Sequence, residues 1–191
     1  MRKNLIIMLL LTIALTLPIT AAEPPSAAFT VSASISAIND MKITNTQVNE
    51  ETYGNSGNTF GGSVTIIGSG EGANMDSSGN VSIGAYISAI TNSPEGYTIT
   101  MSATPLTSAE TPSATINYIV SVLNTATSTP TTVSYDTKID SSAVDVITAD
   151  GLNGLNVESL PISVQLYRSE YDSAVAGTYT GTVTFHYVSA S

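Results

Sequence analysis

The chain has no cysteine, five lysine and arginine residues, a single histidine, and charged residues make up only 10% of it. Each shortage excludes something. Without cysteine there is no disulfide, no thiol nucleophile and no lipid tether through an N-terminal Cys, so stability in an oxidising compartment has to come from packing. Fifteen carboxylates against five cations give a formal net charge of −10. Nucleic acid is bound by Lys and Arg that neutralise phosphates, and anionic membrane surfaces attract the same residues, so neither partner is expected. One histidine, no GxSxG and no metal-spaced His cluster leave no visible catalytic triad or ligand set, and no enzyme activity, cofactor or metal is expected. His186 alternates with Phe185 and Tyr187, which places it on the opposite, solvent-facing side of a strand.

No amphipathic helical stretch of useful length follows the leader. The leader itself opens with Arg2 and Lys3, runs apolar from Leu5 to Leu17, and reaches Pro18, Thr20, Ala21 and Ala22. That order of charge, short apolar run and small residues is a signal peptide, so residues 1–22 are expected to be removed near Ala21 or Ala22. The run is too short to span a bilayer. Of the cations, Lys42, Lys138 and Arg168 then remain, and against fifteen carboxylates they leave a net charge of −12. An apolar share of 42% is enough to build a core, and the remaining length suits one domain. The C-terminal TFHYVSAS carries no apolar tail, so nothing is expected to anchor the product to a membrane.

What the sequence does have is alternation. In Ala28–Ala37, Phe29, Val31, Ala33 and Ile35 alternate with Thr30, Ser32, Ser34 and Ser36, the period of a strand that buries one face. No turn signal joins this strand to a following one of similar length. It is either an ordinary first strand or one that leaves its own domain to complete a neighbour's sheet. Further strands are expected at Asp40–Thr46, Ser63–Ile67, Val81–Ala89, Tyr97–Ala103, Ile116–Val122, Val133–Ile139, Ala143–Ile147, Leu160–Arg168 and Ala176–Val188. Val81–Ala89 and Tyr97–Ala103, joined by NSPEG, read as antiparallel neighbours. Many short strands with Gly and Pro turns point to an all-β fold, an immunoglobulin-like β-sandwich.

Other features read as structural. Glu71 and Asp76, in a Gly-rich loop, lack the oxygen spacing of a calcium loop. Asp145 and Asp150, or Glu170 and Asp172, are the carboxylates that another acid would have to meet for acid–base work. The acidic residues occupy loop-like or strand-edge positions, which reads as solubilising charge. Tyr53, Tyr135 and Tyr171 lie in or near loops and are the candidates for stacking on sugar rings in a monomeric, secreted carbohydrate-binding or adhesive sandwich.

The succession of a signal peptide, the alternating Phe29–Ile35 strand, GYTITMSA in the middle and AGTYTGTVTF at the end resembles the layout of chaperone–usher fimbrial subunits of the cysteine-free alternate, colonisation-factor or common-pilus types. The resemblance implies an incomplete sandwich over residues 38–191 and a donor-strand extension over residues 23–37. Phe29, Val31, Ala33 and Ile35 would then plug the groove of the next subunit. Tyr179, Val183, Phe185 and Tyr187 would line that groove and offer its free backbone edge. It further implies a homopolymer built by strand exchange, a periplasmic chaperone and an outer-membrane usher as partners, a surface fimbria as the destination, and adhesion to a host or other surface receptor as the task. Burying Phe29, Val31 and Ile35 is worth roughly 1.5–3 kcal/mol each, and ordering each strand residue costs about 1–2 kcal/mol. Side chains alone therefore lose, and ladder bonds of about 0.5–1.5 kcal/mol each must make up the difference.

Overall fold

A computed structural model describes residues 32–190, apart from Gly72, Pro112 and residues 126–129. The chain divides into Met1–Ile35 and Ser36–Ser191. Phe29, Val31 and the leader lie outside the described residues. In the first unit, residues 32–35 have no regular secondary structure, and Ile35 is 87% exposed.

The second unit is all-β with open antiparallel sheets. Its strands are β1 (Asn39–Thr44), β2 (Asn80–Thr91), β3 (Tyr97–Ala103), β4 (Leu106–Ser108), β5 (Thr115–Ile116), β6 (Tyr118–Asn124), β7 (Thr131–Asp136), β8 (Val144–Ala149), β9 (Asn156–Leu166), β10 (Tyr179–Thr180) and β11 (Val183–Ser189). They form a five-stranded sheet, β1-β2-β9-β6-β7, and two three-stranded sheets, β11-β3-β8 and β10-β4-β5. The alternating apolar side chains explain the packing. Ile87 and Ala89 of β2, Val120 and Val122 of β6 and Leu160 of β9 join Tyr97, Ile99 and Met101 of β3 and Val146 and Ile147 of β8 in one buried cluster. Each large side chain so buried contributes roughly 1.5–3 kcal/mol.

The other face of the large sheet is covered where β1, β2 and β9 run together. Thr44 Oγ1 and Ser88 Oγ are 2.8 Å apart, Ser88 Oγ and Ser159 Oγ 2.9 Å, and Val48 N–H donates to Ser159 Oγ at 3.1 Å. All three hydroxyls are buried, and this chain of bonds satisfies them. The loop after β1 lays Val48 and Tyr53 over them, with Lys42 Nζ 4.3 Å from the centre of the Tyr53 ring.

Several expectations are corrected. β2 and β3 are not neighbours, because β1 and β9 occupy both edges of β2 and the chain crosses to the other sheet. Gly96 makes that crossing: its φ is +83°, and a Cβ there would stand 1.7 Å from the Ala149 carbonyl oxygen at the end of β8. Ser63–Ile67 is not a strand. The C-terminal pattern is broken at Gly181 and Thr182, so β10 pairs with β4 while β11 pairs with β3. A Cβ on Gly181 would lie 2.7 Å from the Thr104 carbonyl oxygen, which is why a bare Cα stands at the break. A one-turn helix, α1 (Arg168–Ser173), follows β9 and buries no residue, so it leaves no amphipathic signal to read.

Pro161 sits in the central strand β9, an unusual place for a residue without an N–H. Tyr167 N–H donates to Asn117 O, so the odd-numbered residues of β9 face β6. That ladder stops at Val122 and Ile162, and the missing donor falls one residue beyond it. On the β2 side the register shifts between Val81 and Ala85, a bulge that includes Gly84 at φ +55°.

Gly84→Ala, where an added Cβ meets nothing within 4 Å, is expected to cost about 1–2 kcal/mol, the left-handed penalty alone. Gly96→Ala adds a backbone clash and is expected to cost more than about 3 kcal/mol, beyond the common range. Urea unfolding midpoints of the two variants check the order.

Candidate functional site

Among the described residues, part of the apolar face of the five-stranded sheet has no strand laid over it. A cavity of about 360 Å³ lies there. Its floor is Val81, Ile83 and Ala85 of β2, Val120 of β6, and Ile162 and Val164 of β9. The bulge in β2 brings Ile83, flanked by Val81 and Ala85, into this floor. One wall is Leu106 of β4, Tyr179 of β10, and Val183 and Phe185 of β11. The opposite rim is Ile43 of β1 with Phe60, Val64 and Ile66 from the β1–β2 connection. Tyr118 closes the base, its hydroxyl pushed up to about 12 by burial and therefore neutral.

Backbone polarity along the two rims follows from the register. Thr104 N–H donates to Thr182 O and Ala190 N–H to Gly96 O, so the even-numbered residues of β11 bond to β3. Val183, Phe185 and Tyr187 therefore turn their N–H and C=O groups to the outer edge while their side chains face inward. Among the described residues no strand pairs with that edge. The same reasoning holds for β1. Asn92 N–H donates to Ile38 O, which leaves Asn39, Met41 and Ile43 with backbone groups directed away from β2. The β11 edge is thus open, while on the β1 edge the Met41 N–H is taken by Asp40 Oδ1 and the Ile43 carbonyl by the Phe60 N–H, next to a Thr44–Thr59 bridge; the two edges border one apolar trough.

The trough is closed at one end. Tyr187 Oη donates to Asn39 Oδ1 at 3.2 Å, joining β11 to β1, and Thr91 Oγ1 donates to the same oxygen at 2.6 Å. Tyr187 stacks on Tyr97, with ring centroids 5.1 Å apart and an interplanar angle of 17°. Behind them the Tyr97 hydroxyl, Asn156 Oδ1 and Glu158 Oε2 are buried without a hydrogen-bond partner in the described structure. Burial pushes the Glu158 carboxyl above the usual carboxylate range, and the neighbouring Tyr97 hydroxyl draws it partly back. Burial and the nearby Glu158 charge together hold the Tyr97 hydroxyl well above its ordinary value.

Of the residues read from sequence, Tyr179, Val183 and Phe185 line the trough, and Tyr187 closes its end. Ala33 and Ile35 are exposed and belong to no strand, while Phe29 and Val31 are outside the described residues. Ile43, Ile83, Ile162 and Val164 were not singled out, because a period of two marks an inward face without saying whether another strand covers it. Glu158 corrects the view that every carboxylate is a surface charge. Glu170 bonds Lys138 at 2.7 Å and accepts from the Asn117 backbone N–H, and Asp172 pairs with Arg168, so neither meets another acid. Asp76 accepts from Ser78 N–H, Asn80 N–H and Asn80 Nδ2, bonds that shape its own loop and lower its pKa. Tyr53 and Tyr135 are buried and Tyr171 packs over the bare Cα of Gly68, so the three do not form an open sugar-stacking platform.

Because the folded-state pKa of Glu158 is raised, the native state holds its proton to higher pH than the unfolded chain does. This group therefore penalises the fold as pH rises from the unfolded pKa through the folded one, and not below. Glu158→Gln is expected to raise the melting temperature at pH 7, with the difference from the parent vanishing on acidification to about pH 4, near the free glutamate pKa. Thermal melts of both proteins across that range check it.

Compared with known proteins, the chain matches no protein-family model, no curated protein and no solved structure.

Proposed function

We propose that the second unit is an immunoglobulin-like β-sandwich short of one strand, and that the protein is a structural subunit of a surface fimbria in which the missing strand comes from the next copy. The observation that carries this reading is an apolar trough that lies between the open backbone edge of β11 and the outward edge of β1, whose Ile43 carbonyl is held only by the Phe60 N–H of a neighbouring loop. A small-molecule pocket needs the trough and a few polar groups, but has no use for a row of N–H and C=O groups beside it. An extended strand needs both: alternate side chains enter the trough while its backbone ladders on β1 and β11.

The occupant is Phe29–Ile35 of a second copy. Its four apolar side chains alternate as a trough of this kind requires. Ser36, Ala37 and Ile38 contain no Gly, Pro, Asn or Asp that would fold the segment back beside β1, which favours insertion in trans. In solution an open trough and an unpaired edge invite aggregation, so a periplasmic chaperone that fills the groove until an outer-membrane usher delivers the subunit fits the same physics. The secretion leader, the acidic surface and the absence of cysteine suit a product carried to the cell surface, where adhesion is the natural task.

Phe29→Asp and Ile35→Asp are expected to leave secretion intact and abolish filament growth, read on a gel of unboiled surface extract as loss of the series of polymer bands that the parent is expected to show and that heating should collapse. Val183→Pro removes an outward N–H while leaving the β3 ladder whole, and is expected to weaken uptake of a synthetic Ala28–Ala37 peptide with little change in the melting temperature of the free subunit. A full series of polymer bands from the Asp variants, or a purified single copy indifferent to the peptide, would overturn the reading in favour of a monomeric adhesive domain.

A further inference from the structure

The trough is not empty of its own chain. Phe60, Ser63, Val64 and Ile66 border it together with Val183 and Phe185. The stretch Ser63–Ile67 has the alternation of a strand but none of the ladder of one. Phe60 N–H donates to Ile43 O at 3.1 Å, one of the outward carbonyls of β1 that a strand entering between β1 and β11 has to use. We infer that the segment from Phe60 to Ile66 is a resident strap over the mouth of the trough, and that it has to swing aside before the strand of the next copy enters. This inference rests on the strand-accepting reading above.

The two halves of the strap are held differently. At its far end Asn74 clamps it from three directions: Nδ2 donates to Thr65 O at 2.8 Å, Oδ1 accepts from Ile67 N–H at 2.9 Å, and the Asn74 N–H donates to Ile67 O at 3.1 Å. Tyr171 lies over Gly68, where an added Cβ would stand 2.6 Å from the phenol oxygen, and fixes the chain just beyond. Between Phe60 and Thr65 there is no comparable hold. Residues 61–64 make no hydrogen bond among the described residues, and Gly61 and Gly62, the latter at φ +82°, have nothing within 4 Å of where a Cβ would be. The backbone is free to rotate there at little steric cost. Val64 is 38% exposed and Ile66 half-buried, so the strap covers apolar wall without filling the trough.

A weak cover of this kind serves two ends. It lowers the apolar area that a free subunit shows to its neighbours, and it is lost readily to a competitor that offers more buried side chains and a ladder on both edges. Local openings of few contacts and few backbone bonds are the low-energy ones in a fold. The strap also makes entry directional. The Tyr187–Asn39 end is shut by side-chain bonds, so the incoming strand has to start at the strap.

The absence of cysteine makes the test clean, because a single introduced thiol reports on one position. In full-length Val64→Cys, saturating Ala28–Ala37 peptide is expected to raise the rate of maleimide labelling severalfold, with binding followed separately by the anisotropy of a fluorescent peptide. Asn74→Ala, which releases the clamp, is expected to speed peptide association. Should Val64→Cys fail to fold, Ile66→Cys, half-buried against the trough on the same strap, gives the same readout. If the peptide binds while the thiol rate stays level or falls, the strap inference is overturned and the groove reading stands. If the peptide does not bind at all, both fall together.

Discussion

Backbone hydrogen bonding at an unfinished edge is the constraint on which the rest of this structure depends. In β11 the register with β3 turns the N–H and C=O groups of Val183, Phe185 and Tyr187 outward, while their side chains point into the apolar interior. The two directions are coupled by strand geometry. A strand that pairs with this edge must run directly over the uncovered floor of β2 and β9, and a molecule that fills the floor must lie beside the edge. On the proposed reading, affinity from the ladder and selectivity from the floor are delivered by the same ligand, an extended chain.

The closed end of the trough shows a different balance. Tyr97 and Tyr187 stack, and Asn39 ties β11 to β1, so packing there is dense. Yet Asn156 Oδ1 is buried without a partner in the described structure, a cost of roughly 1–3 kcal/mol, and the Glu158 carboxyl is shielded from water with the Tyr97 hydroxyl beside it and no well-formed hydrogen bond at Oε2. A hydrophobic residue at 158 would avoid burying a carboxyl. Its position directly behind the end wall ties the polar cluster to the place where an inserted strand would stop, and on the proposed reading that wall sets how far the strand travels.

Stability is distributed accordingly. The cluster built from β2, β3, β6, β8 and β9 is fully packed, and the hydroxyl chain Thr44–Ser88–Ser159 completes the opposite face. The trough side has a cavity and a strap held by few bonds. On the proposed reading, the firm half is the one that never changes and the loose half is the one that would exchange one strand for another.

Much of this was legible in the chain. Alternation at Val81–Ala89, Tyr97–Ala103, Leu160–Leu166 and Val183–Tyr187 marked strands and their inward faces, since side-chain direction in a strand is a local property. Shortage of cysteine, of cations and of helical periodicity bounded the class for the same reason: composition is independent of how the elements meet. Three things were not local. Which strands pair was misread across NSPEG, because Gly96 sends the chain to the other sheet and the close approach to Ala149 that requires a glycine there is a contact between distant residues. The strap looked like a strand, because its alternation is real and only the lack of a partner denies it a ladder. Glu158 looked like a surface charge, because its burial arises only once the tertiary structure sets it beside Tyr97, distant in sequence. The sequence by itself determined the inward faces of the main strands; tertiary structure alone decided which alternating stretch gained a ladder, which edge was left open and which inward face was left uncovered, because these are properties of how many strands stand side by side.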